Sequence, residues 1–264
     1  MATRLYQQLF FMPSPLFEFA YFHAWDSHVD DLARMAQAEN WEYRFTQNHR
    51  PHPILSSYLH YTFGRLEVQK KIGYSPNQSR ACFNTGLVTP NYEEIFAAFE
   101  TQRRQDGAPY VFQGFYKESE RELLDFGMLP DLASYVDNSA DLLYDTRLPL
   151  RKNVDHIIDE NKDRFPEPFR SMQDNYQLRI ALDGAVAHAT RRVQRNYRTA
   201  VPQFYQGRIQ LLLPICMTNR SRADLALVVY QQSKVYLAST CLTLDMAYNN
   251  ARLLARPDSD WLEP

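Results

Sequence analysis

The sequence predicts an α+β protein, and three observations carry that expectation. Residues 208–244 contain three strand-like runs, RIQLLLPIC, ADLALVVYQ and KVYLASTCLTL, joined by short polar connections. Runs spaced this closely fit an antiparallel meander, because a hairpin needs only a short turn. Segments of helical period come before them, and a last helix-like segment, LTLDMAYNNARLLA over 242–255, comes after. Helices and strands segregated in this way define α+β, whereas regular alternation would define α/β. No strong linker divides the 264 residues, so the expectation is a single domain, 1–264, in which helices pack an antiparallel or mixed sheet.

The elements follow in chain order. The start, MATRLYQQLFF, has one Arg and no long apolar stretch after it, which argues against a signal peptide. VDDLARMAQAE, 29–39, reads as a short helix, and 40–53 as a polar loop with aromatics that ends in HRPHP. In 54–71, Ile54, Leu55, Tyr58, Leu59, Phe63 and Leu66 recur near helical period. Ala81 to Phe83 reads as a strand end, Asn84-Thr85-Gly86 as a turn, and Thr89 as the N-cap of a helix with Pro90 in its first position. YVFQGFY, 110–116, predicts a strand; 117–126 and 153–163 predict helices. Residues 172–200 predict a long helical stretch, interrupted near Asp183-Gly184 and stopped by Pro202.

Composition narrows the function classes. Hydrophobic residues at 45% and charged residues at 23% are ordinary for a globular chain. The aromatic share is high, 14% with 17 Tyr and 16 Phe, and supplies either core volume or stacking surface. Cys82, Cys216 and Cys241 form no C-x-x-C pair and sit in apolar contexts, as reduced thiols of a cytoplasmic protein do. No run approaches the roughly 18 apolar residues of a membrane span. The net charge of −2 conceals an asymmetry: residues 146–222 hold 14 Lys and Arg against 7 Asp and Glu, while the remainder holds 15 against 24. A basic third inside a mildly acidic chain points to a local anionic partner.

Four constellations could carry chemistry. In HATRRVQRNYRTA, 188–200, helical spacing puts Val186, Ala189, Val193, Tyr197 and Ala200 on one face. His188, Arg191, Arg195 and Arg198 fall on another, with Arg192 beside them. A solvated face with salt bridges explains such a stripe, but no acidic residue lies between Asp183 and Asp224 to supply local partners. The planar guanidinium fork suits phosphate oxygens. In the second, Asn84, Thr85 and Gly86 precede an expected helix N-terminus, where free N–H groups favour an anion; an ordinary capped turn explains the same residues. The third, DHIIDENKDRFP, offers His156 as a general acid or base, with Asn161 and Arg164 nearby, against a purely structural histidine. The fourth is the C-terminal segment, where Asp245, Asn249 and Arg252 fall at i, i+4 and i+7, opposite Leu244, Ala247, Tyr248, Ala251 and Leu254. Asp245 is a base or metal ligand on one reading and a helix cap on the other.

Several familiar chemistries are missing. The chain has no G-x-S-x-G, P-loop, G-x-G-x-x-G or H-E-x-x-H. HRPH (His49, His52) and DSHVDD (Asp26, His28, Asp30, Asp31) could hold a metal, without a diagnostic spacing, so no metal ligand is assigned. KKIG, 70–73, faintly resembles the lysine motif of covalent nucleotidyltransferases and adds Lys71 to the candidates, although the Asp common before the Gly is missing.

LHYTFGRL, FNTGLVT, RNYRTAVPQFYQGRIQLLLP and TLDMAYNNARLLARPDSDWL, in this order, resemble an uncharacterised bacterial family, the domain of unknown function numbered 3825. The resemblance runs from about residue 30 to 262. Members of that family are associated with neighbouring cold-shock and winged-helix modules, which implies work on RNA. The expectation is therefore a protein that binds RNA or a nucleotide phosphate, with a leaning towards an RNA-processing or repair enzyme. Asp245, Asn249, His156 and Lys71 are its catalytic candidates. Asn84, Thr85, Gly86, Arg164, Arg191, Arg195, Arg198 and Arg252 are its phosphate-binding candidates. ATP and a divalent metal ion are the cofactors such chemistry draws on, and neither is assigned. The alternatives are a non-catalytic RNA- or nucleotide-binding module and a regulatory protein docking an acidic partner.

Overall fold

A computed structural model describes residues 14–47, 49–102, 107–257 and 261–262; the opening segment MATRLYQQLFF and its reading lie outside them. The fold is α+β, built on two five-stranded mixed sheets. Among the described residues the chain divides into two compact units: one made of residues 14–43 and 47–134, the other of Arg44–Thr46 and residues 135–262.

The first unit contains α1 (Pro15–Phe19), β1 (Ala20–Tyr21), α2 (Trp25–Met35), α3 (Pro53–Val68), β2 (Gly73–Tyr74), β3 (Arg80–Val88), β4 (Glu94–Thr101) and β5 (Tyr110–Lys117). Its sheet has the order β1-β5-β4-β3-β2, parallel at β1–β5 and antiparallel elsewhere. The apolar residues expected on α3 are buried, from Ile54 at 1% exposure to Leu66 at 0%. Phe63 of α3 meets Phe83 of β3 at 5.3 Å between ring centroids, and Phe83 stacks on Phe99 of β4 at 5.7 Å.

Two expectations fail here. No helix starts at Pro90: Thr89 Oγ1 accepts from the Glu93 N–H, Tyr92 takes a positive φ of 66°, and the chain turns back as β4. The cause is double-sided burial. Ile95, Phe96, Ala97, Ala98 and Phe99 are all at most 1% exposed, and a strand covered on both faces loses its polar alternation. Residues 121–126 form a 3-10 helix instead of an α-helix over 117–126.

The second unit contains β6 (Leu150–Lys152), α4 (Val154–Asn161), α5 (Asn175–Arg195), β7 (Val201–Tyr205), β8 (Arg208–Ile215), β9 (Leu225–Gln232), β10 (Val235–Leu242) and α6 (Leu244–Arg252). The expected meander is β7–β10, all antiparallel, and β6 adds in parallel to β10 for the order β6-β10-β9-β8-β7. Ile157 of α4 and Leu178, Leu182, Val186, Ala189 and Val193 of α5 pack with Leu211, Leu213 and Ile215 of β8 in one buried cluster. Each such Leu, withdrawn from water, contributes about 1.5–3 kcal/mol. α5 runs through Asp183-Gly184 without a break, since the buried residues on either side hold one continuous stripe.

α6 lies on the opposite face. Side chains alternate along β8, so Gln210 faces away from Leu211. Gln210 Oε1 accepts from Gln203 Nε2 at 2.8 Å, and Gln203 Oε1 accepts from Asn250 Nδ2 of α6 at 3.1 Å. The three amides are partnered in sequence, which makes this polar line tolerable beneath a helix.

Candidate nucleic-acid interface

The arginine stripe is exposed as its spacing predicts. Val186, Ala189 and Val193 point into the core at 3% exposure or less, which turns Arg191 and Arg195 to solvent. α5 ends at Arg195; Asn196 caps a 3-10 turn over Tyr197–Thr199 by accepting from the Arg198 N–H at 3.1 Å. That turn removes Tyr197 from the buried face expected of it and leaves it 67% exposed, between Arg195 and Arg198. Among the described residues, neither Arg191 nor Arg195 pairs with a carboxylate. Arg192 is half-buried and donates from Nη1 to Cys216 Sγ at 3.6 Å. Burial pushes the Cys216 thiol up, against the opposing pull of Arg192.

That contact ties the end of α5 to the β8–β9 loop, where Arg220 and Arg222 are exposed. The loop is shaped by Asp224, whose carboxylate accepts from the Met217 and Thr218 N–H groups at 2.7 and 2.9 Å and from Thr218 Oγ1 at 2.5 Å. Arg222 lies over the Phe45 ring with Cζ 5.8 Å from the centroid; Arg44 approaches the same ring at 5.5 Å. Phe45 is 47% exposed. Arg192 through Cys216, and Arg44 through Phe45 and Arg222, thus meet the β8–β9 loop, which also carries Arg220; Arg191 and Arg195 lie on the last turns of α5 beside Arg192. Asp224 is the acid of that loop, and its oxygens are taken by loop donors.

Asp245 sits under this surface. It is 2% exposed, and it accepts from the Arg44 N–H at 3.1 Å, the Phe45 N–H at 3.2 Å and Thr46 Oγ1 at 2.7 Å. It is not the helix cap, a role taken by Thr243, which accepts from the Met246 N–H at 3.4 Å. Nor does it face an open cleft, since its oxygens are turned to the 44–46 backbone. Asn249 is half-buried, and Arg252 is buried at 9% exposure, so Arg252 offers solvent little of its guanidinium.

The other candidates occupy separate places. Arg164 is a strut: Nη1 donates to Asn161 Oδ1 at 2.5 Å and to the Cys241 carbonyl at 2.6 Å, tying the end of α4 to β10. His156 pairs along α4 with Glu160, Nδ1 to Oε1 at 3.0 Å. Lys71 belongs to the first unit and donates to the Leu132 carbonyl at 2.8 Å. Asn84, Thr85 and Gly86 lie there too, within β3, where the β3–β4 register shifts between Asn84 and Val88. Asn84 donates to Glu94 at 3.1 Å and accepts from the Gly86 N–H at 2.9 Å; Thr85 Oγ1 donates to the Ile95 carbonyl at 2.6 Å. Gly86 has φ +72°, and a Cβ there would meet Tyr58 Oη at 2.6 Å. The expected anion site at a helix start is therefore corrected to an internally bonded strand irregularity. Gly86 and Arg195 fall in different units.

The metal candidates meet only in part: His52 Nε2 lies 3.1 Å from Asp30 Oδ1, and Nδ1 lies 3.2 Å from Glu42 Oε1. Among the described residues, no three His, Cys, Asp or Glu side chains gather as metal ligands, and no helix is long and apolar enough to cross a membrane. The surface that sequence reasoning missed is Arg44-Phe45 with Arg220 and Arg222. An aromatic beside an arginine in a polar loop was its one visible signal. Nothing in the spacing announces a meeting of segments that lie this far apart in the chain.

Fold and surface together define an α+β protein with an arginine-rich, aromatic end on its second sheet. A family model described as "Domain of unknown function (DUF3825)" matches residues 32–261, and the chain belongs to that family. No curated protein and no solved structure matches it.

Proposed function

We propose that the protein binds RNA by its phosphates at the arginine-rich end of the second sheet. The observation that carries this reading is the pair Arg191 and Arg195, one helical turn apart, exposed, and without a carboxylate partner among the described residues. Adjacent guanidinium groups repel each other, and a polyanion laid along them relieves that repulsion and releases its own counterions. Arg220 and Arg222 extend the same charge around the strand ends. Exposed Tyr197 and Phe45 add ring surface, which favours nucleic acid over inorganic phosphate as the partner. The cytoplasm, where RNA and reduced thiols coexist, is the compartment that fits.

Three of the four catalytic candidates have their polar atoms engaged within the fold. Lys71 donates to the Leu132 carbonyl, His156 pairs with Glu160, and Asp245 is engaged by the 44–46 segment. Binding is therefore the function proposed, and incubation with end-labelled RNA, with and without ATP and divalent metal, separates a module that binds from an enzyme that processes.

Replacing Arg191 and Arg195 together with Ala tests the binding itself. The double variant should fold as the parent does, bind single-stranded RNA more weakly, and show a slope of log K against log salt that is shallower by about one to two. Equal affinity and equal slope in the two proteins would remove the proposal.

A further inference from the structure

We propose that Phe45, flanked by Arg44 and Arg222, is a stacking subsite for one unpaired nucleobase; this rests on the RNA-binding reading above and adds what the arginines alone would not give. A phenylalanine with 47% of its surface in water forfeits hydrophobic stabilisation, and a short loop could readily turn it inward. Here it is instead held out. The buried Asp245 carboxylate accepts from the N–H groups of Arg44 and Phe45 and from the Thr46 hydroxyl, which fixes the three residues that carry the ring. A carboxylate taken out of water and used up on loop donors positions those residues; it is not itself offered to a ligand.

Around the ring the chemistry suits a nucleotide. Two guanidinium groups lie within 6 Å of the centroid, at 5.5 and 5.8 Å. Each can stack on a base as a plane or hold a phosphate oxygen with its fork. A phosphate and its own base lie close enough together for the ring to take one while an arginine takes the other. Bases inside a duplex are already stacked on their neighbours and cannot reach a side chain, so the occupant is single-stranded. The neighbouring Arg220 and the Arg191–Arg195 pair then track the phosphates that follow.

The test uses the full-length protein and fluorescence anisotropy at one fixed salt concentration. The probes are a fluorescein-labelled oligoadenylate RNA and an abasic oligomer of the same length, which keeps the phosphates and lacks the bases. Phe45→Ala should weaken binding of oligoadenylate roughly tenfold and leave binding of the abasic oligomer nearly unchanged; Phe45→Tyr, which keeps the ring, should match the parent on both. Equal losses on both oligomers would mean that Phe45 merely shapes the loop, and the proposal would be wrong. If Phe45→Ala binds oligoadenylate like the parent while the Arg191→Ala, Arg195→Ala variant does not, the subsite fails and the phosphate surface stands. If the parent binds neither oligomer, both readings fail together.

Discussion

At the scale of single residues, burial decides what each polar group can do. Asp245 shows this best: its three donors come from residues about two hundred positions earlier in the chain, so sequence spacing within α6 could suggest a base, a ligand or a cap, but not a staple for a distant loop. His60 shows the same principle through titration. It lies 4.7 Å from the Phe17 ring and 5.0 Å from that of Trp25, and Ser14 Oγ is 2.7 Å from its Nδ1. Burial first, and the charge of Arg50 second, hold its pKa down at about 4, against an ordinary 6.5. The unfolded chain therefore takes up the proton that folded His60 refuses. Stability is full above pH 6.5, falls as the pH drops from 6.5 towards 4, and levels off below that. The whole fall amounts to about 3 kcal/mol, because a tenfold change in proton affinity is worth about 1.4 kcal/mol. Urea denaturation at steps between pH 7 and 4 should show this fall in the parent and lose it in His60→Leu; parallel curves for the two would contradict it.

At the scale of elements, the legible parts were helices with one buried face and apolar strand runs set off by polar turns. α3 and α5 keep apolar periods because their outer faces meet water; β8 and β9 are covered on both faces and were legible instead as apolar runs between short polar turns, and each stands where its pattern put it. β4 was misread because of what precedes it. Glu94–Thr101 sits between β3 and β5, its five central residues are covered on both sides, and Thr89-Pro90 ahead of it imitates a helix start. The short β1 and β6 depend on partners far along the chain, and β2 is only two residues long, so all three leave almost no local signal. Gly184 misled in a different way. It marked an interruption by propensity, yet α5 continues through it, held by Leu182, Ala185 and Val186. Its φ is not positive, it is exposed, and a Cβ there would meet nothing within 4 Å. Gly184→Ala should consequently stabilise the protein by about 0.5–1 kcal/mol, read as a rise in urea midpoint at unchanged slope. A fall in that midpoint would mean that the helix needs the glycine.

At the scale of the whole molecule, the charge is distributed in a way that the net value of −2 hides. The basic stretch 146–222 belongs wholly to the second unit, and folding concentrates part of it at one sheet end. The arginine stripe was legible because helical period is local. Its extension through Arg44, Phe45, Arg220 and Arg222 was not, because it is assembled by a loop and by a buried carboxylate. Membership of the family holds over residues 32–261, a span that includes all of these residues. The proposed RNA-binding surface is a location on the second unit, at α5, the β8–β9 loop and Phe45. Ultraviolet cross-linking of the full-length protein to single-stranded RNA, followed by mass-spectrometric mapping of the modified peptides, measures that location directly. Cross-links should concentrate in peptides carrying Arg44–Thr46 and residues 191–222. Cross-links confined to peptides of the first unit between Gln47 and Ser134 would contradict the account.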